Sequence, residues 1–246
     1  MYILAFETTG EHASVACIDK KGNLVEQTSE QIFNHLQSLM PMTERLMKEN
    51  GITMSDISCV AASAGPGSFT GIRIGVSSAR AIAQAVNIPC ISVPALWSFS
   101  YHIENFTGLV CPILDARRNE IYGGVFYLDR NSGEIREVVP GGAYGMHEYL
   151  QLLHAEITGE AFSEIMFFGD GIKLYQDEIV QWQGSSLNDN IRLEFAEADK
   201  RGQKASSVAK LALKLYNEGK QVDYEQFMPI YMRKPEAERK LEEGQR

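Results

Sequence analysis

The chain has 246 residues, 44% hydrophobic and 22% charged, with a formal net charge of -9. That suits one large or two small domains with real cores, and the acidic balance excludes a strong solo binder of nucleic acid, because phosphate binding rests on Lys and Arg. The opening MYILAFETTG has no basic n-region and no long apolar h-region, and no run reaches the ~20 apolar residues of a membrane span, so a soluble cytoplasmic protein with no membrane partner is expected.

In chain order, YILAFETT and ASVACID read as buried strands joined by a tight turn, and GNLVEQTSE as a third strand after the DKKGN turn. A helix is predicted from His35 to Asn50, stopped by Gly51. The buried strand ISCVAAS leads into the glycine-rich stretch AGPGSFTGIRIG and a helix over Phe69–Val86. IPCISV is a short strand and PALWSFSYHI a short helix. In the second half LVCPILDA and EIYGGVFYL pair across an RRN turn, GEIREVVP extends their sheet, and EIMFFGDG is a strand entering a turn that opens a helix. A last helix spans about Ser206 to Glu218. Three meandering strands, then alternating helices and strands, then a second mixed half predict two α/β lobes. The boundaries expected are 1–104, 105–233 and a loosely ordered charged tail, 234–246. Cys17, Cys59, Cys90 and Cys111 form no C-x-x-C pair and sit in apolar strand-like runs, which reads as buried inert thiols in a reducing compartment.

Both long N-terminal helices carry more apolar surface than one sheet needs. On a helical wheel Leu36, Leu39, Met40, Met42, Leu46 and Met47 spread over about 160°, wider than the ~100° stripe that docks on a single core. Thr43 lies within the same face. Three of the six are methionines, which adapt to varied partners, and Pro41 inside the helix is expected to bend it. In the second helix Gly71, Gly75, Ala79 and Ala83 recur every four residues, a smooth ridge over which another helix could pass closely. Ile74, Val76, Ile82, Ala85 and Val86 cover much of the rest, and Arg73, Ser77, Arg80 and Gln84 form the only wet stripe. Ordinary core packing between the two helices is the bland alternative. The surplus favours a sticky surface, by default a symmetric dimer.

Candidate ligand sites are thinner. Gly65, Gly67 and Gly71 at a strand-to-helix turn have the placement of an anion cradle, but no Lys follows as in a P-loop and the spacing is wrong for G-x-G-x-x-G; turn chemistry is the leading reading. Glu7, Thr8 and Thr9 at the end of the first strand could hold a hydrated metal and phosphate oxygens, or be only a strand edge. Gly169, Asp170 and Gly171 form a GDG turn in which Asp170 could be a helix cap. Arg117 and Arg118 in DARRNE are most simply a hairpin turn that could still meet a phosphate or a carboxylate. The histidines, His12, His35, His102, His147 and His154, offer no H-x-x-x-H. His147 and His154 would be about 10 Å apart on a helix, too far for one metal. No nucleophile elbow is present. No catalytic or metal-binding set is therefore assigned.

With these residues in place, GPGSFTGIRIG, ILAFETT, HLQSLMPM, LDARRNEIY, FFGDG and PIYMRK make the chain resemble the TsaB (YeaZ) family of tRNA threonylcarbamoyladenosine biosynthesis proteins, most strongly from Ile57 to Val93. The resemblance implies a two-lobed actin-like ATPase fold (the ASKHA, ribonuclease H-like class) with mixed sheets flanked by helices. It implies a non-catalytic subunit that pairs through its two N-terminal helices with a TsaD-like catalytic subunit, works with a TsaE-like ATPase, meets tRNA only through that complex, and forms a homodimer when alone. In that reading the interface residues are Leu36, Leu39, Met40, Thr43, Met47, Gly71, Ile72, Arg73, Gly75, Ala79, Arg80 and Ala83. No cofactor is required, with ATP or ADP at most at the interface with the catalytic subunit. Glu7, Thr8, Thr9, Gly65, Gly67, Gly169, Asp170 and Gly171 would be a vestigial nucleotide site. The catalytic relative carries a metal-binding H-x-x-x-H where Ala95 and Phe99 stand in this chain, and the family's first strand more often ends in Asp-Thr-Ser-Thr than in Phe6-Glu7-Thr8-Thr9. Two alternatives are a small-molecule kinase of the same fold class, drawing on ETTG, the glycine loop and GDG, and a metallopeptidase.

Overall fold

The computed structural model describes residues 1–159, 162–186 and 191–233. The first lobe is built from β1 (Tyr2–Glu7), β2 (His12–Asp19), β3 (Leu24–Ile32), α1 (His35–Glu49), β4 (Ile57–Gly65), α2 (Phe69–Val86), β5 (Cys90–Pro94) and the short α3 (Ala95–Ser98). The second follows with β6 (Leu109–Asp115), β7 (Glu120–Leu128), β8 (Ile135–Gly145), α4 (Met146–Gly159), β9 (Glu164–Phe168), α5 (Ile172–Ser186) and β10 (Arg192–Phe195), and the last helix is α6 (Ala205–Asn217). The two sheets have the orders β3-β2-β1-β4-β5 and β10-β9-β6-β7-β8. In each, an antiparallel meander of three strands is extended by two parallel strands beside its first member. One topology is thus used twice, although the sequence carries no repeat of side chains.

The continuous apolar run of β1 is explained by cover on both faces of its sheet. Alternation sends Leu4 and Phe6 toward α1 and α2, with Leu39, Leu46, Ile72 and Val76. Ile3 and Ala5 face the other way, onto Val208, Leu211 and Ala212 of α6. The last helix, expected in the second lobe, therefore lies on the first sheet. Its N-terminus is capped from that sheet: the Ala205 amide donates to Ser14 Oγ (2.9 Å) and the Ser206 amide to Glu26 Oε1 (2.7 Å). In the second lobe α4 and α5 cover one sheet face through Tyr149, Leu153, Ile172 and Ile179. The other face brings Val110, Phe126 and Phe168 against Leu96 and Phe99, which joins the lobes.

The chain then crosses back. Val222 bridges Cys90 at the edge of the first sheet, closing part of an open edge. Phe227 is fully buried among α1 and α2 side chains. The Ile230 amide donates to the Ala64 carbonyl (2.8 Å), and Arg233 reaches the Ala116 carbonyl (3.1 Å) and Glu120 in the second lobe. This strap, residues 222–233, ties the glycine loop to both lobes. The tail expected over 234–246 lies outside the described residues. All four cysteines are free and buried, and burial pushes each thiol up to about 11 or 12.

Candidate functional site: a closed loop and an open helical face

The end of β1 is sealed. Glu7, Thr8 and Thr9 are all buried. Glu7 Oε1 accepts from the Thr9 hydroxyl (2.6 Å) and the Thr9 amide (2.5 Å), while Glu7 Oε2 has no well-formed partner. Burial pushes the Glu7 carboxyl up, against the hydrogen bonds that pull it down. The Thr8 hydroxyl donates to the Gly71 carbonyl (2.7 Å), and the Ser68 amide donates to the Thr9 carbonyl (2.9 Å). The Gly71 amide is taken by the Ser68 cap (3.3 Å) and the Ile72 amide by the Ser68 carbonyl (2.8 Å). Two of the amides that a phosphate would use at this helix start, those of Ser68 and Gly71, are therefore occupied, and the Ile72 amide makes the first regular bond of the helix.

The small-residue ridge points inward. A Cβ at Gly71 would lie 1.8 Å from the Thr8 carbonyl oxygen, and one at Gly75 would lie 2.5 Å from Thr8 Oγ1. Ala79 and Ala83 are fully buried in the same core as Val60 and Ala62. This corrects the expectation that Gly71, Gly75, Ala79 and Ala83 clear space for a helix of another protein: they clear space for the end of β1 and for the helix's own sheet. Ile72, Leu39, Thr43 and Met47 are likewise buried within the chain.

Gly65 and Gly67 lie under the strap and over Thr9: a Cβ at Gly65 would meet the Ile230 carbonyl oxygen at 2.4 Å, and one at Gly67 would meet Thr9 Cβ at 2.7 Å. Gly169 and Gly171 pack on the Ile113 carbonyl. Asp170 Oδ1 accepts from the Asp115 amide (3.0 Å), and burial pushes its carboxyl up. The GDG turn thus ties β9 to β6, with Asp170 bonded across to the next strand.

Between the lobes a cleft of about 460 Å³ brings Thr9, Gly67 and Asp170 together with Glu11, Arg117 and Lys173. Glu7, Thr8, Gly65, Gly169 and Gly171 do not line it. Arg117 pairs with Asp115 (2.9 Å) and Lys173 with Glu11 (3.5 Å), so the cleft's cations are matched by carboxylates. These residues do not fit the phosphates of a nucleotide. Arg117, Arg118 and Asn119 all take positive φ in the β6–β7 turn, as the hairpin reading requires. Ala95 and Phe99 are fully buried, Phe99 in the core that joins the lobes. Among the described residues no three His, Cys, Asp or Glu side chains converge as a metal set, and no helix is long and apolar enough to cross a membrane.

What stays open is the outer surface of α1 and α2. Leu36 is 75% exposed and Met40 is 40% exposed. Met40, Thr43 and Met47 line an apolar groove of about 470 Å³ with Ile52, Met54 and Ile82. Phe33 and Ile32, just before α1, are also exposed. On the other flank of α2, Arg73 lies 3.9 Å over the Phe69 ring and donates to Tyr231 Oη (2.9 Å), while Arg80 Nη1 approaches Met228 Sδ (3.5 Å). The strap therefore covers part of the stripe read from sequence as wet. Sequence reasoning missed Phe33, Ile52, Met54 and the strap residues. Only Phe33 gave a signal, as an aromatic just ahead of the helix start.

Two lobes of one strand order, each with helices on its sheet, define the actin-like ATPase class of fold. A family model described as TsaD, tRNA N6-adenosine threonylcarbamoyltransferase, matches residues 24–241. The chain is 28% identical over 246 residues to a Bacillus subtilis protein named tRNA threonylcarbamoyladenosine biosynthesis protein TsaB, covering 100% of both chains. It is 30% identical to the Escherichia coli protein of the same name, covering 98% of each. A solved Pseudomonas aeruginosa structure described by its similarity to peptidase YeaZ matches with a TM-score of 0.76 at 24% identity, over 94% of this chain and 99% of that one, and shows the same fold. The chain belongs to the TsaB (YeaZ) family, within the wider set matched by the TsaD model.

Proposed function

We propose that the chain serves tRNA threonylcarbamoyladenosine biosynthesis in the cytoplasm as a non-catalytic subunit. It docks a TsaD-like catalytic subunit on the outer face of α1 and α2, works beside a TsaE-like ATPase, and reaches tRNA only through that assembly. The observation that carries this reading is the contrast between the two ends of α2's environment. The Ser68 and Gly71 amides at the glycine loop are spent internally, whereas Leu36 is exposed and Met40 and Ile82 line an apolar groove on the outside. The same face supports a homodimer when no partner is present. Nucleotide, if it enters the assembly, is held by the partner.

The test is Leu36→Glu with Met40→Glu, both at exposed positions where a charge leaves the core intact. The double variant is expected to keep its melting temperature and circular dichroism and to lose co-elution with the TsaD-like subunit of the same cell. A folded variant that still binds with unchanged affinity would show that the partner sits elsewhere. The kinase alternative is checked by calorimetry with Mg-ATP on the isolated chain, where turnover would overturn the non-catalytic reading.

A further inference from the structure

Two buried polar atoms at the end of the first sheet have no hydrogen-bond partner, Glu7 Oε2 and Ser63 Oγ. Glu7 closes β1, and Ser63 lies near the end of β4, the parallel strand beside it. Phe6 stands opposite Ala62 in that register, so alternation turns Glu7 and Ser63 to the same face of the sheet. That is the face covered by α6. Glu7 is 0% exposed and Ser63 is 1% exposed, so bulk water reaches neither side chain.

The two carboxyl oxygens of Glu7 are not equivalent. Oε1 accepts from the Thr9 amide and from the Thr9 hydroxyl. An amide can only donate, so Oε1 is an acceptor and carries no proton. Oε2 has no donor. A wholly buried carboxylate needs a counter-charge, or donors on both oxygens. Among the described residues neither oxygen meets a cation. The first amides of α6 are spent on Ser14 and Glu26. The titratable groups on the elements around the carboxyl are Glu11 and His12 where β2 begins, Cys59 on β4, His102 beside α6 and Lys204 at its start. Burial acts on the carboxyl ahead of any charge of theirs and pushes it up, while Thr9, Ser63 and Thr8 pull it down. Ser63 thus stands beside the carboxyl without a well-formed bond to it.

One proton satisfies both orphaned atoms. We propose that Glu7 is a neutral carboxylic acid in the folded chain, that its Oε2–H donates to Ser63 Oγ, and that this proton is a lock on the glycine loop. The lock acts through Oε1. Oε1 holds Thr9, the Thr9 carbonyl holds the Ser68 amide, and the Thr8 hydroxyl holds the Gly71 carbonyl. When the proton leaves, the buried charge draws the strand end toward water and these bonds loosen together. The direction follows from linkage. The folded chain holds the proton more tightly than the unfolded one, so this contribution is complete below the ordinary value of 4.5 and is lost as pH rises through the folded value.

The experiment follows the carboxyl carbon of Glu7 by NMR in the full chain labelled with carboxyl-13C glutamate, the line being assigned by its loss in Glu7→Gln. At about pH 6, where exposed glutamates are ionised, Glu7 is expected to show the shift of a protonated carboxyl. A line that reports carboxylate there overturns the inference. Ser63→Ala separates the two directions of the bond. If Ser63 accepts from the acid, its removal makes Glu7 ionise at lower pH; if it donates to a carboxylate, at higher pH. A rise, or no change, overturns the inference. Hydrogen exchange reads the lock. Glu7→Gln keeps a donor at the same place, and relative to it the protection of the Thr9 and Ser68 amides is expected to fall about tenfold for each pH unit above the ionisation of Glu7. Equal protection in the two chains at every pH removes the lock. If Glu7→Gln does not fold, the infrared carbonyl band of the protonated acid, compared between wild type and Ser63→Ala, gives the same reading, and a wild type without that band refutes the neutral acid.

Discussion

Gly71→Ala is the sharpest test of which way the small-residue ridge faces. The added Cβ would sit 1.8 Å from the Thr8 carbonyl oxygen and 2.9 Å from its carbon. Those are backbone atoms, held by the Thr8–Gly71 hydrogen bond at 2.7 Å and by the Ser68 amide on Thr9, so the strain has no cheap exit. Overpacking costs about 1–3 kcal/mol or more, and alanine returns about 1 kcal/mol of helix propensity. The net expectation is a loss of about 2 kcal/mol, or roughly 4–8 °C in melting temperature for a chain of this size. Gly75→Ala is the internal control. Its Cβ meets only Thr8 Oγ1 at 2.5 Å, a hydroxyl that can rotate. The lost hydrogen bond, about 1 kcal/mol, is offset by propensity, so the melt is expected within about 3 °C of wild type. Differential scanning calorimetry reads both. A Gly71→Ala protein that melts like wild type yet no longer binds its partner would put the ridge on the outside and refute the packing described here.

Three further outcomes follow from burial. His102 donates from Nε2 to the Gly202 carbonyl (2.7 Å), so Nδ1 accepts from the Ser207 hydroxyl (2.8 Å), and burial lowers its pKa from 6.5 to about 4. A depressed histidine disfavours the proton in the folded state: its stabilisation is complete above about pH 6.5 and drains away toward pH 4, by about 2–3 kcal/mol after discounting for its partial exposure. Denaturant melts of wild type and His102→Gln between pH 7 and 4 check this, and parallel slopes would deny it. The four thiols, pushed up to about 11 or 12, are expected to resist a disulfide-exchange reagent in the native protein and all to react once it unfolds; a fast-reacting native thiol would contradict their burial. Phe227→Ala empties a fully buried site and is expected to cost about 3–5 kcal/mol. It should also speed hydrogen exchange at the Ile230 amide, which a strap anchored elsewhere would not do.

The sequence made legible those features that repeat with a period or break it. A continuous apolar run marked β1 as buried, and the Ser68 cap and left-handed Asn87 bound α2 where its pattern ends. The four-residue ridge was also legible, but periodicity names a face and not its direction. Only the close approach of Thr8, a contact made across 63 positions, turns Gly71 inward. The exposed part of the apolar surface is Leu36 and Met40, with Ile82 half-buried, rather than Ala79 and Ala83. Helix α4 carried a signal that was not used: Met146, Leu150, Leu153 and Ile157 are all core residues at helical spacing. β10 is four mostly half-buried residues, too short for a pattern. The strap has no period at all. Its order comes from contacts such as Phe227 in the core and Tyr231 against Phe69, which local sequence does not announce.

The strap and the closed loop bear on the same helix, and this links the sealed site to the open one. α2 is fixed at its start by Thr8 and Thr9, and along its flank by Phe227, Met228 and Tyr231. Internal hydrogen bonds that occupy amides a phosphate would have used are the same bonds that hold the helix start in place. A rigid face loses less entropy when a partner docks than one that must be ordered on contact. In the docking reading proposed above, residues at the cleft would then contribute to binding on the far side of the helix, by keeping α2 and the Met40 groove at fixed spacing. Loosening the strap is then expected to weaken docking without touching any residue of the face. Phe227→Ala is therefore expected to weaken that docking although Phe227 lies in the core.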